Sequence, residues 1–143
     1  MKAARQLTIA MLLVVVITAL YVGIYMIVDP SGTSLHLPPY LLKGTMFADF
    51  LIPGWIITGA IGISGLLCII AIVRKVYKYH IMIIVQGIII CALVIAQMVI
   101  IGEEYMLQYL LLMMGMAIAI LGGLLSQSTA YGHQQQQLKN TRK

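Results

Sequence analysis

The side chains best suited to acid–base work, nucleophilic attack or metal binding in this 143-residue chain are few. They are Asp29, Asp49, Glu103 and Glu104, the histidines His36, His80 and His133, and the thiols Cys68 and Cys91. A histidine among carboxylates can transfer protons or hold a metal. One grouping could do this: Asp29, His36, Asp49, Glu103 and Glu104 all flank the same ends of long apolar runs and could meet there. The four acids also have plainer roles. Asp29 closes the turn Asp29-Pro30-Ser31-Gly32, Asp49 caps the helix that follows it, and the two glutamates solvate a hairpin. The plainer reading is preferred, so no catalytic residue is expected.

The remaining candidates are further apart. No two histidines are spaced to share a metal or a haem, and Cys68 and Cys91 differ too much in depth along their runs for a disulfide. No Cys-x-x-Cys pair, phosphate-cradling glycine loop, His-Glu-x-x-His helix or nucleophile elbow occurs. No cofactor or metal is expected.

The elements that would position these groups are set by composition. With 62% hydrophobic residues, 9% charged and a mean hydropathy of +1.02, the chain is an integral membrane protein rather than a soluble domain. Four apolar runs, 7–28, 51–73, 81–101 and 106–125, are each long enough to cross about 30 Å of hydrocarbon at about 1.5 Å per residue. The first is read as a retained span, because its apolar stretch exceeds that of a cleavable signal. Residues 126–143 are polar and are expected to be disordered. The whole is read as a single domain.

Basic residues orient it. Eight of the nine, Lys2, Arg5, Arg74, Lys75, Lys78, Lys139, Arg142 and Lys143, fall on one side, and only Lys43 falls with the four acids. The basic side is taken as cytoplasmic. Both termini are then cytoplasmic in a multi-pass protein of the plasma (inner) membrane. The net charge of +5 reflects topology and does not call for nucleic acid. Short links between spans predict the fold class: an all-α membrane protein, an antiparallel four-transmembrane-helix bundle with a structured outer loop between helices 1 and 2. Gly54, Thr58 and Gly62, and Gly115, Ala119 and Gly123, recur every four residues and predict close helix packing.

Two further patterns are candidates for function. Gln86, Gln97 and Glu104, spaced by 11 and 7 residues, lie within about 20° of one azimuth on the third helix. Such a polar stripe could line a water path. The alternative is that the amides hydrogen-bond across the bundle to Thr18, Tyr21 or Thr58. The loop at residues 29–50 is long for so small a domain, and the stretch 29–55 around it holds all four prolines of the chain. Its candidate functional residues are Asp29, Pro30, Gly32, Phe47, Asp49, Phe50, Pro53 and Gly54, with Pro53 expected to bend the start of the second helix.

Asp29-Pro30-Ser31-Gly32, Leu37-Pro38, Phe47, Asp49-Phe50 and Ile52-Pro53-Gly54 together resemble the signature of a group of small four-span bacterial membrane proteins. Met46 and His36 stand where that signature has Pro and Gly. The resemblance covers the first two spans and their loop, and implies the same architecture in a bacterial plasma membrane. It carries no activity, ligand or catalytic residue. The expectation is therefore a non-catalytic membrane protein acting through a partner or lipids, its partners being the lipid bilayer and a membrane protein or homo-oligomer. An oligomeric transporter or channel and an outer-face enzyme are the alternatives.

Overall fold

The computed structural model describes the backbone of residues 2–101 and 106–140 and the side chains of residues 2–100 and 106–127; Glu103 and Glu104 lie outside the described residues. Among them all regular structure is helical. Four helices are long and apolar enough to cross a membrane. They are α1 (Lys2–Val28), α2 (Leu51–Val73), α3 (Tyr79–Ile101) and α4 (Met106–Asn140).

Local chemistry explains most of the boundaries. α1 stops at Val28 because the residue before a proline avoids helical geometry, and its last bond runs from the Asp29 amide to the Tyr25 carbonyl at 2.9 Å. At the start of α2 the Asp49 carboxylate accepts the Leu51 amide at 3.1 Å. Pro53 falls in the first turn of α2, where its missing N–H would have no helical acceptor, so the expected bend has no cause. α4 continues to Asn140, where a disordered tail was expected from Ser126. Gln134 to Gln137, Leu138 and Lys139 are good helix formers without a proline among them. Extending an existing helix costs far less than nucleating one.

The helices pair through their small residues. α2 lies along α1: a Cβ at Gly54 would sit 2.8 Å from that of Met26, and one at Gly62 would sit 2.5 Å from Leu20 Cδ2. The approach of α3 to α4 is backbone to backbone, since a Cβ at Gly87 would stand 2.7 Å from both the Ala119 nitrogen and the Gly115 carbonyl. Gly122, not Gly123, completes this face, with its own Cβ position 2.9 Å from the Ile84 nitrogen. Positions 115, 119 and 122 follow the seven-residue helical repeat, whereas a strict spacing of four rotates Gly123 into open space.

Leu12, Val15, Cys68, Ile72, Ile83, Ile90, Val94, Ile118 and Leu125 form the main core, to which all four helices contribute. Large apolar side chains such as Ile17, Val85, Val99 and Ile120 point outward. That pattern is costly in water and natural in lipid. Gly87→Ala should lower the melting temperature in detergent markedly, by an overpacking penalty of about 1–3 kcal/mol, while Gly123→Ala should leave it within error. Equal melting of the two variants would show that close α3–α4 contact is not what holds the pair.

Candidate functional site

The 29–50 segment is built around two anchors. The Asp29 carboxylate accepts from the Ser31 hydroxyl at 2.5 Å and the Ser31 amide at 3.3 Å through one oxygen, and from the Ser34 amide and hydroxyl at 2.8 and 2.7 Å through the other. The Thr33 hydroxyl donates to Ser31 Oγ in turn. The Ser31 and Ser34 hydrogen bonds hold the Asp29 carboxyl at about 2, well below its ordinary 3.8. Asp29 is thus a charged brace for its own loop.

The second anchor is Phe50, only 5% exposed and clustered with Met26 and Leu41. Its amide donates to the Pro30 carbonyl at 3.0 Å, tying the two ends of the segment together. Gly32, at φ 75°, lets the chain pass beneath the ring: a Cβ there would meet Phe50 Cδ2 at 2.9 Å. Burying a phenylalanine is worth about 1.5–3 kcal/mol, which helps to offset the ordering of the segment. Two short 3-10 turns, Thr33–Leu35 and Pro39–Leu42, complete it.

The predicted loop residues therefore divide. Pro30, Gly32 and Phe50 come together, Gly54 joins them through its amide to the Phe50 carbonyl at 2.9 Å, and Asp49 serves α2. Phe47 is only half-buried and its amide bonds Thr45 Oγ1 at 3.2 Å. His36 is exposed, with Nδ1 on the Thr33 carbonyl at 3.2 Å. Among the described residues no three His, Cys, Asp or Glu side chains are grouped to hold a metal.

Within the spans the polar site forms at Gln86, with a partner other than those expected. The sequence Thr58–Ile63, with glycines at 59 and 62, winds as a π-helical turn in the middle of α2. The Ser64 amide consequently reaches back five residues to the Gly59 carbonyl. The Ala60 carbonyl then accepts the Ser64 hydroxyl at 2.6 Å and Gln86 Nε2, from α3, at 3.4 Å. Ser64 Oγ also lies 2.8 Å from Gln86 Oε1, so its single hydrogen serves two acceptors.

Gln86 is buried at 3% exposure, Gln97 is half-buried eleven residues further on, and Glu104 is outside the described residues. The expected partners of Gln86 were the wrong ones. Thr18 donates to its own Val14 carbonyl at 2.8 Å, and Thr58 Oγ1 is buried without a partner against Gly23, on the α1 side of α2. The missing residue was Ser64, nine residues from the Val73 end of α2, as Gln86 is seven from the Tyr79 start of α3. The two lie at similar depths, but depth alone does not say which faces of the helices meet.

A cleft of about 230 Å³ opens between α2 and α3 beside this pair, lined by Ser64, Leu67, Cys68, Ile81, Met82, Val85, Gln86 and Ile89. Cys91, by contrast, faces α4, with its thiol 3.7 Å from the Leu112 carbonyl. No family model, curated protein or solved structure matches the chain.

The polar pair makes an asymmetric prediction. Ser64→Ala strands the buried Gln86 oxygen and should destabilise by about 1–3 kcal/mol. Gln86→Leu leaves Ser64 its carbonyl and should cost no more than about 1 kcal/mol. Adding Gln86→Leu to Ser64→Ala leaves the Ala60 carbonyl with neither side-chain donor, so the double variant should be the least stable of the three, read as thermal unfolding in detergent. A double variant more stable than Ser64→Ala would refute this account.

Proposed function

We propose that the chain is a non-catalytic integral membrane protein that acts through a membrane partner or through lipids. Its architecture in this reading is an antiparallel four-transmembrane-helix bundle, capped between α1 and α2 by a folded outer loop. Falling partner numbers support the antiparallel order: Val16, Leu20 and Met26 of α1 meet Gly65, Gly62 and Gly54 of α2, and Ile84 and Gly87 of α3 meet Gly122 and Gly115 of α4. The cluster of Met26, Leu41 and Phe50 supports the cap. The lopsided placement of basic residues supports cytoplasmic termini in the plasma membrane.

The observation that carries the functional reading is how the buried amide of α3 is spent. Gln86 is turned inward onto Ser64 and the Ala60 carbonyl, whereas a transport path needs polar groups facing water. Asp29, His36 and Asp49 are each bonded within their own segment rather than gathered around a common point, which favours a structural role over catalysis. A protein in which Gln86, Asp29, His36 and Asp49 are committed to its own fold is suited to offering surfaces.

Native mass spectrometry from a mild detergent tests this: the expected mass includes a stoichiometric protein or retained lipid, and a bare monomer at every activation energy would count against it. Orientation has a separate test. An alkaline phosphatase fused after Lys143 should be inactive, and an active fusion would reverse the topology.

A further inference from the structure

The turn between α2 and α3 contains two lysines where the backbone favours glycine. α2 closes with the Lys75 amide on the Ile72 carbonyl at 3.3 Å and the Val76 amide on the Ala71 carbonyl at 3.0 Å, the paired bonds of a left-handed helix cap. The capping residue is usually glycine, yet here Lys75 sits at φ 51° and Lys78 follows at φ 61°. Three cations, Arg74, Lys75 and Lys78, are thereby exposed in five residues, with Val76 and Tyr77 exposed among them. Lys78 Nζ lies over the Tyr77 ring at 5.3 Å. No Asp or Glu occurs anywhere between Asp49 and Glu103, so the charge is uncompensated locally. Non-glycine residues kept in a disfavoured conformation point to a use for their side chains.

Directly above this turn lies the apolar cleft. It begins within one helical turn of Lys78, at Ile81 and Met82, and runs between α2 and α3 to the Ser64–Gln86 pair. Leu67 and Val85 on its walls are about half exposed, so it opens sideways to the surroundings of the helices. Charge and cleft are in line. A headgroup phosphate at the turn would place its acyl chain at the mouth of the cleft.

The geometry points to a binding site for one anionic phospholipid, its phosphate held by Arg74, Lys75 and Lys78 and one acyl chain lying in the α2–α3 cleft. Lysines near an anionic surface each strengthen binding by about fivefold, and the apolar walls add a fixed lane for the chain. This inference rests on the reading of the chain as a membrane protein that works through a partner or lipids, and it names the lipid and its place.

The test is native mass spectrometry of the full chain released from nanodiscs of equal phosphatidylglycerol and phosphatidylcholine. Wild type should retain one phosphatidylglycerol in preference to phosphatidylcholine. Lys75→Gly with Lys78→Gly should lose that preference by roughly 25-fold while raising the melting temperature, because glycine relieves both left-handed positions. Lys75→Arg with Lys78→Arg should keep the preference. Val85→Phe, which fills the cleft and leaves the turn intact, should also release the lipid; if it fails to fold, the lysine variants decide alone. An unchanged preference in the double-glycine variant overturns the site. So does a lipid-free dimer dissociated by Val85→Phe, which would put a second copy in the cleft. A wild type that retains a protein partner but no preferred lipid defeats this inference only, whereas one that retains nothing defeats the functional reading beneath it.

Discussion

A peptide carbonyl without a hydrogen-bond donor is the one group that an apolar helix cannot carry, and the arrangement of α2 and α3 follows from that constraint. The π-helical turn at Thr58–Ile63 redirects the Ser64 amide to Gly59, and a side-chain hydroxyl and an amide from the next helix then converge on the Ala60 carbonyl. Because the second donor comes from α3, the irregularity of α2 fixes which faces of the two helices meet, and at what depth. Elsewhere the backbone is regular and the helices are free to be set by shape. Gly87 against Gly115 and Ala119 does for α3 and α4, by proximity alone, what Ser64 and Gln86 do by hydrogen bonding.

The two ends of α2 meet a related problem in different ways. At the α1–α2 end the Asp29 carboxylate satisfies four donors of its own loop, and the Phe50 ring closes over Gly32. At the α2–α3 end there is no such internal satisfaction. The Lys75 cap bonds the helix carbonyls through its backbone and leaves its charge outside.

The four helices were legible because an apolar run of twenty or more residues admits few other structures. Asp49 as a cap and Gly32 as a turn residue were legible from local chemistry alone. What was not legible depended on which face of one helix meets another. Gln86 could be seen as polar and deep, but nothing in its own helix said that Ser64 would be opposite rather than Thr58. The π-helical turn shifts the faces of α2 beyond it, so a fixed 100° per residue across Thr58–Ile63 misplaces everything that follows. A different shortcut, the strict spacing of four, favoured Gly123 over Gly122, although about 100° per residue from Gly115 brings Gly122 closer to the shared face. Pro53 was misread because its effect depends on where the helix starts, and the start is set by Asp49 four residues earlier.

α4 has 35 residues, about 52 Å at 1.5 Å per residue, and its membrane-length stretch Met106–Gln127 accounts for about 33 Å. The remaining length, roughly 20 Å, projects beyond the apolar part as a continuous rod. Mechanically that rod is a lever with its fulcrum at the bundle end. A tilt of about 10° about the end of the apolar stretch would swing the tip by roughly 3 Å. Close backbone contact at Gly87 and Gly115 resists such a tilt, and so steadies a part of the helix that it never touches.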